Sequence, residues 1–223
     1  MHAHEKLKMG NQLYEAIEKQ ELHLYYQIQV DHLNQPLGAE ALIRWLHSER
    51  GMVPPMHFIP LAEESGLILY IGYWVLDTAC AQLKKCQQFT ATCDLILAVN
   101  VSSKQFRHDD FIVQVREIVQ CHEINPALLK LEITEGLLLK NIEDVIVTMN
   151  VLKALGVQFS LDDFGTGYSC LQYLKRLPFN QLKIDQSSVR HIDTDSSDKA
   201  IVRIIIAMAQ NLDLDVIAEG VET

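Results

Sequence analysis

Six carboxylates and one amide fall within or just after short apolar runs of this 223-residue sequence: Glu40, Asn100, Glu132, Asp162, Asp163, Asp185 and Glu219. Oxygen donors without an obligatory His or Cys suit hard divalent ions, Mg2+ or Mn2+, rather than structural zinc. So many carboxylates in one cleft repel one another and are driven toward protonation unless cations neutralise them. Two such ions about 3.5–4 Å apart and bridged by an acid make a hydrolytic site for phosphate esters, one acidifying a water and the other stabilising the leaving oxygen. Lys183, the one positive side chain in the set, is placed to hold a water or a phosphate oxygen.

The densest stretch runs from Gln158 to Ser169, where an apolar run ends in Asp162-Asp163 and breaks into Gly165-Thr166-Gly167. Adjacent strand residues point to opposite faces, so two acids share one target only where the strand ends and twists away. The plainer alternative is an Asx-turn leaving a strand, with both aspartates simply solvated.

The elements that must carry these groups follow from periodicity. Residues 1–20 have helical spacing (Leu13, Ile17), and 22–30 alternate as a strand with Leu22, Leu24, Tyr26, Ile28 and Val30 on one face. A turn at 31–36 leads to a strand at 37–45 with Glu40, Leu42 and Arg44 on one face, then to a loop containing Pro54, Pro55 and Pro60. Helices are expected near 73–88, 110–122, 143–155 and 198–212, with a short one after Ser169. Strands are expected at 95–100, 129–133, 181–184 and 215–218 and in the stretch before Asp162. Alternation of this length means α/β with mostly parallel strands and right-handed crossovers. Seven strands are counted, one short of a closed eight-stranded barrel, and no linker or internal repeat divides the chain.

The net charge of −10 disfavours a nucleic-acid polymer as partner. No apolar run approaches the roughly 20 residues of a membrane span. The five cysteines are odd in number and lack a Cys-x-x-Cys pair, which fits reduced thiols in the cytoplasm.

Glu40-Ala41-Leu42 resembles the signature of the EAL domain family of bacterial cyclic di-GMP phosphodiesterases, and the resemblance covers nearly the whole chain. Tyr25-Tyr26-Gln27, Phe58-Ile59-Pro60-Leu61-Ala62-Glu63, Val99-Asn100-Val101-Ser102 and Leu131-Glu132-Ile133-Thr134-Glu135 occur in the family's order. So do Asp162-Asp163-Phe164-Gly165-Thr166-Gly167, Leu182-Lys183-Ile184-Asp185 and Ala218-Glu219-Gly220-Val221-Glu222. The resemblance implies one EAL domain over 1–223, a TIM-like (β/α) barrel with an antiparallel first strand. Members continue beyond Glu222 through a further helix and last strand, so this barrel is expected to lack its last strand. Residues 1–20 are expected to continue from an upstream GGDEF or sensory domain. Departures include Ile28 for proline, Gly136 and Cys170 for serine, and Gln186 and Ser188 for Arg and Phe, none at a metal position.

The implied activity is hydrolysis of cyclic di-GMP to linear pGpG with two Mg2+ or Mn2+ ions, Ca2+ being inhibitory. The implied metal ligands are Glu40, Asn100, Glu132, Asp162, Asp163, Asp185 and Glu219. Catalytic roles fall to Lys183, Glu219 and Glu40, with Lys183 placing the attacking water. Gln27, Leu42, Arg44, Lys183 and Glu222 match substrate-contacting positions, and Arg44 suits a phosphate by bidentate pairing. Glu135 is implied to anchor the Gly165-Thr166-Gly167 loop, which is tied to homodimer formation; a plain acid at a helix N-terminus is the other reading of Glu135. The chain is expected to be cytoplasmic, any membrane tether belonging to other domains. The competing classes are a non-catalytic cyclic di-GMP receptor, which usually loses an acid or the loop motif, and a barrel lyase or aldolase, which needs a Schiff-base lysine.

Overall fold

In the computed structural model, residues 3–139, 141–165, 171–190 and 192–221 are described, the side chains of 3–8, 171 and 172 excepted. Thr166, Gly167, Cys170 and Glu222 lie outside the described residues. The chain divides into two units, 1–129 and 130–223.

The first unit opens with helix α1 (Ala3–Glu18), which buries Leu13 and Ala16. Strands β1 (Leu22–Val30) and β2 (Pro36–His47) pair antiparallel, from Leu22 opposite Trp45 to Gln29 opposite Gly38. The alternation in β1 predicts one buried face, yet only its start is buried: Ile28 and Val30 are 56% and 47% exposed. Among the described residues of this unit β1 pairs with β2 alone, as an edge strand does.

Two elements depart from the sequence expectation here. A short strand β3 (Gly51–Val53) returns along β2, and the expected Pro-rich loop is in fact a helix, α2 (Pro55–Ser65). Pro55 sits in the first turn, where its missing N–H is not needed and its fixed φ suits a helix, while Pro60 lies on the exposed side. Phe58, Leu61 and Ala62 supply the buried stripe, and Phe58 meets Trp45 edge-on with ring centroids 5.7 Å apart.

Helix α3 (Ile68–Cys86) starts five residues earlier than expected, since nothing between 67 and 73 breaks the helix and Ile68 and Ile71 are already buried. Strand β4 (Ile96–Asn100) lies parallel to β2, followed by the four-residue α4 (Ser103–Phe106) and by α5 (Phe111–His122). Gly38 of β2 is there for space: a Cβ would lie 2.2 Å from the Ile96 carbonyl oxygen on β4. Gly38→Ala is therefore expected to force the two strands apart and cost about 2–3 kcal/mol in urea unfolding, with little change in the denaturant slope.

Cys80 of α3 is fully buried, and desolvation pushes its thiol up to about 12. At pH 8 a thiol reagent is expected to modify the exposed Cys121 in the native protein while sparing Cys80 until the chain unfolds. An unfolded-state thiol ionises near 9.0 whereas the native one stays protonated to about 12. Cys80 thus has no effect on stability below pH 9 and lowers it as pH rises through that window. A Cys80→Ala variant is expected to lose this alkaline slope.

The second unit is built on parallel strands in the order β5 (Leu129–Thr134), β6 (Gln158–Phe164), β7 (Gln181–Ile184), β8 (Asp215–Ala218). Helix α6 (Ile142–Ala154) joins β5 to β6 and buries Val145, Met149 and Leu152, as its spacing predicts. The short α7 (Leu171–Leu174) precedes β7, and α8 (Gln186–Val189), too short to show a period, follows it. Helix α9 (Ser196–Asn211) buries Val202, Ile205 and Ala209. β5 and β7 alternate apolar with polar residues, yet both of their faces are buried: Lys130, Glu132, Gln181 and Lys183 are as enclosed as the leucines between them.

Candidate active site

In the second unit the strands deliver their polar residues to one lysine. Lys183 on β7 is 1% exposed, and its ammonium lies 2.7 Å from Glu132 Oε2 on β5 and 2.7 Å from Glu219 Oε1 just past β8. Asp162 Oδ1 on β6 is 3.3 Å away. Glu132 is fully buried, whereas Asp162 and Glu219 keep partial access to solvent. Three carboxylates on three different strands thus surround one cation, leaving the cluster an excess of negative charge when all are ionised.

The approach of the two aspartates depends on a bulge. Leu161 faces Leu182 and Phe164 faces Ile184, so Asp162 and Asp163 together stand opposite the single residue Lys183. The extra residue is taken up at Asp163, whose φ is 55°, and its N–H donates to Asp162 Oδ1 at 3.0 Å. Asp162 is thereby aimed at the lysine while Asp163 stays exposed. Bulges re-aim side chains in this way beside functional sites.

Asp185 is placed differently. Its Oδ1 accepts from the Ser187 N–H at 2.9 Å and from the Ser187 hydroxyl, capping α8. The hydroxyl bond, ahead of the backbone bonds, holds this carboxyl below its ordinary value. Glu135 is buried at the start of a 3-10 turn, Glu135–Leu139, directly after β5, and Gly165 takes a left-handed φ of 99°. That angle explains why a glycine follows Phe164.

In the first unit Glu40 and Asn100 meet directly, Asn100 Nδ2 donating to Glu40 Oε1 at 2.7 Å. Gln27 faces Glu40 across the β1–β2 pair, and Tyr25 faces Leu42. Arg44, on the same face of β2 as Glu40 and Leu42, lays its guanidinium over the Tyr25 ring at 5.9 Å and donates to the Ile43 carbonyl at 2.9 Å. The expected substrate-contacting residues of this unit therefore share a strand pair.

Whether these groups suit divalent ions can be judged on the chemistry of the donors. Among the described residues no three Asp, Glu, His or Cys groups stand close enough to share an ion as they are; the Lys183 ammonium fills the space between the acids. The donors Glu132, Asp162 and Glu219 are all oxygens already gathered round a positive charge, so a hard cation fits them once the ammonium gives way.

A family model described as EAL domain matches residues 10–223. The chain belongs to the EAL domain family. MucR of Pseudomonas aeruginosa, a bifunctional diguanylate cyclase/cyclic di-GMP phosphodiesterase, is 44% identical over 99% of this chain and 32% of its own length. The cyclic di-GMP phosphodiesterase PdeR of Escherichia coli is 37% identical over 98% of this chain and 33% of its own. This EAL chain therefore spans about a third of the length of these relatives. Among solved structures, that of the phosphodiesterase PaMucR in complex with c-di-GMP superposes with a TM-score of 0.92 at 43% identity, covering 96% of this chain and 86% of that one. The EAL enzyme Bd1971 in its form bound to cAMP and cyclic di-GMP gives 0.94 at 35% identity, covering 99% and 61%. The fold class is thus the α/β, TIM-like one of the EAL family, with its first strand antiparallel.

Lys130 is absent from the sequence-based site candidates although β5 brings it to the same face as Glu132. It is buried and donates to Gln181 Oε1 at 3.1 Å. The alternation Leu129-Lys130-Leu131-Glu132 already carries that placement.

Proposed function

We propose that this EAL domain hydrolyses cyclic di-GMP to linear pGpG with two Mg2+ or Mn2+ ions. The observation that carries the reading is the convergence of Glu132, Asp162 and Glu219 on the buried Lys183, in a chain whose relatives MucR and PdeR are named cyclic di-GMP phosphodiesterases.

Glu132, Asp162 and Glu219 would hold the ions, with Asp163 and Asp185 as further oxygen donors; the same role for Glu40 and Asn100 rests on the sequence resemblance alone. Bound ions supply acidity to a water and neutralise charge on the leaving oxygen. Lys183, on which these carboxylates converge, would donate to the attacking water or to a phosphate oxygen. Glu219 accepts a hydrogen bond from that water and orients it; a metal-bound carboxylate is a poor base, so orientation is its larger part. Gln27 and Arg44 hold the substrate, the guanidinium matching a phosphate oxygen pair. Glu135 and the Gly165-Thr166-Gly167 loop are assigned to homodimer coupling, with Thr166 and Gly167 resting on sequence alone. Among the described residues no helix is long and apolar enough to cross a membrane, and we place the domain in the cytoplasm, within a longer signalling protein.

The test is incubation of the purified protein with cyclic di-GMP and Mn2+, following pGpG by chromatography. Metal-dependent formation of pGpG is expected, with Ca2+ supporting binding but little cleavage because its larger, looser shell activates water poorly. Tight binding without turnover would replace this reading by that of a receptor.

A further inference from the structure

We propose that Lys130 is a positioning residue that tunes the cation site, a fixed positive charge lying behind the carboxylates that weakens their hold on divalent ions. The inference rests on the ion-binding part of the proposed function and not on the identity of the substrate.

Lys130 is 5% exposed, on β5, two residues before Glu132. Side chains two apart on a strand share a face and stand about 7 Å apart. Its ammonium donates to Gln181 Oε1 at 3.1 Å, and the Ser160 hydroxyl donates to the same oxygen at 3.4 Å. Ser160 and Gln181 are themselves buried, on β6 and β7. Three buried polar side chains on three neighbouring strands thus form a layer one step below Glu132 and Lys183. The charges acting on Lys130 are Glu132 and Asp215, which attract it, and Lys183, which repels it.

A lysine here is not explained by packing. An amide oxygen is its only hydrogen-bond acceptor among the described residues, and burial works against its charge. Leucine or methionine would fill the same space without desolvating an ammonium. What a charge at this place does is set the potential at the carboxylates above it. Without ions it offsets part of their mutual repulsion. With ions bound it opposes the added positive charge, and a like charge one layer away, roughly 7 Å along the strand, is expected to weaken ion affinity by at least about ten-fold. A site tuned in this way binds its ions reversibly, so that occupancy follows their supply.

The experiment is Mn2+ binding at pH 8, by titration calorimetry and by the Mn2+-induced rise in melting temperature, on the wild type and on Lys130→Met, Lys130→Gln and Lys130→Arg. The Met and Gln variants are expected to bind Mn2+ about ten-fold more tightly than wild type and to show the larger Mn2+-induced stabilisation. The Arg variant is expected to stay near wild type. The Mn2+ concentration for half-maximal turnover should fall in parallel, with kcat at saturating Mn2+ changing much less. Structural damage alone does not tighten ion binding, and the Gln variant, which keeps a polar group beside Gln181, covers a failure of Met to fold. Unchanged or weaker binding in a folded neutral variant overturns the proposal, as does a wild type that takes up no Mn2+. A wild type that binds Mn2+ but leaves cyclic di-GMP intact overturns the phosphodiesterase reading and leaves the Lys130 comparison standing.

Discussion

Replacing Lys183 by methionine is expected to cost the metal-free protein about 3–5 kcal/mol of stability, the usual penalty for removing one partner of a buried ion cluster. Glu132 is fully buried against the lysine, so its charge would be left without the ammonium that now compensates it. Asp162 and Glu219 can turn partly to water; Glu132 cannot. The informative comparison is between chelator and Mn2+. If cations take the place between the carboxylates, Mn2+ should restore most of the lost stability in Lys183→Met, and more than it adds to wild type. Turnover with Mn2+ should nonetheless fall at least about 100-fold, because the proposed donor to the attacking water is removed. Urea unfolding in both conditions, with pGpG formation measured alongside, separates the two effects. Equal destabilisation with and without Mn2+ would mean that ions do not occupy this cluster.

Glu40→Ala should show the opposite balance. Glu40 is half-buried on β2 and accepts a hydrogen bond from Asn100 at 2.7 Å. Losing that bond should cost about 1 kcal/mol or less. Turnover, however, is expected to drop by about 1,000-fold or more if Glu40 is the oxygen donor to a catalytic ion that we propose. Unfolding by urea and single-turnover cleavage of cyclic di-GMP check both halves of the statement. Near-normal turnover in a folded Glu40→Ala protein would remove Glu40 from the ligand set.

The strands that carry the acids were legible because parallel buried strands read as short apolar runs ending in polar residues. β4, β5, β7 and β8 lie within a residue of where periodicity places them, while β6 runs on through Asp162 and Asp163 to Phe164. The acids of the Lys183 cluster were legible for the same reason, Glu132 and Asp162 falling in the later part of their strands and Glu219 just past β8. What periodicity misses is geometry set by partners. The slip in pairing that puts Asp162 and Asp163 opposite Lys183 is a property of two strands together and leaves no mark on either alone. The capping of α8 by Asp185 comes from Ser187, two residues on, in a helix of four residues that shows no period. The helix at Pro55–Ser65 was masked by its prolines: Pro55 suits the first turn, and the helix runs on through Pro60 although that residue forgoes a backbone hydrogen bond. Lys130 illustrates the reverse case: its position was readable from alternation, but lysine on a strand is ordinarily solvated, so only burial reveals it.

The most direct test is a crystal of the protein grown or soaked in millimolar Mn2+, with the metal located by its anomalous signal. The account predicts manganese held by Glu132, Asp162 and Glu219, with the Lys183 ammonium turned out of its present contacts toward a water. A well-ordered site in which Lys183 still bridges the three carboxylates and no manganese is bound beside them would contradict it.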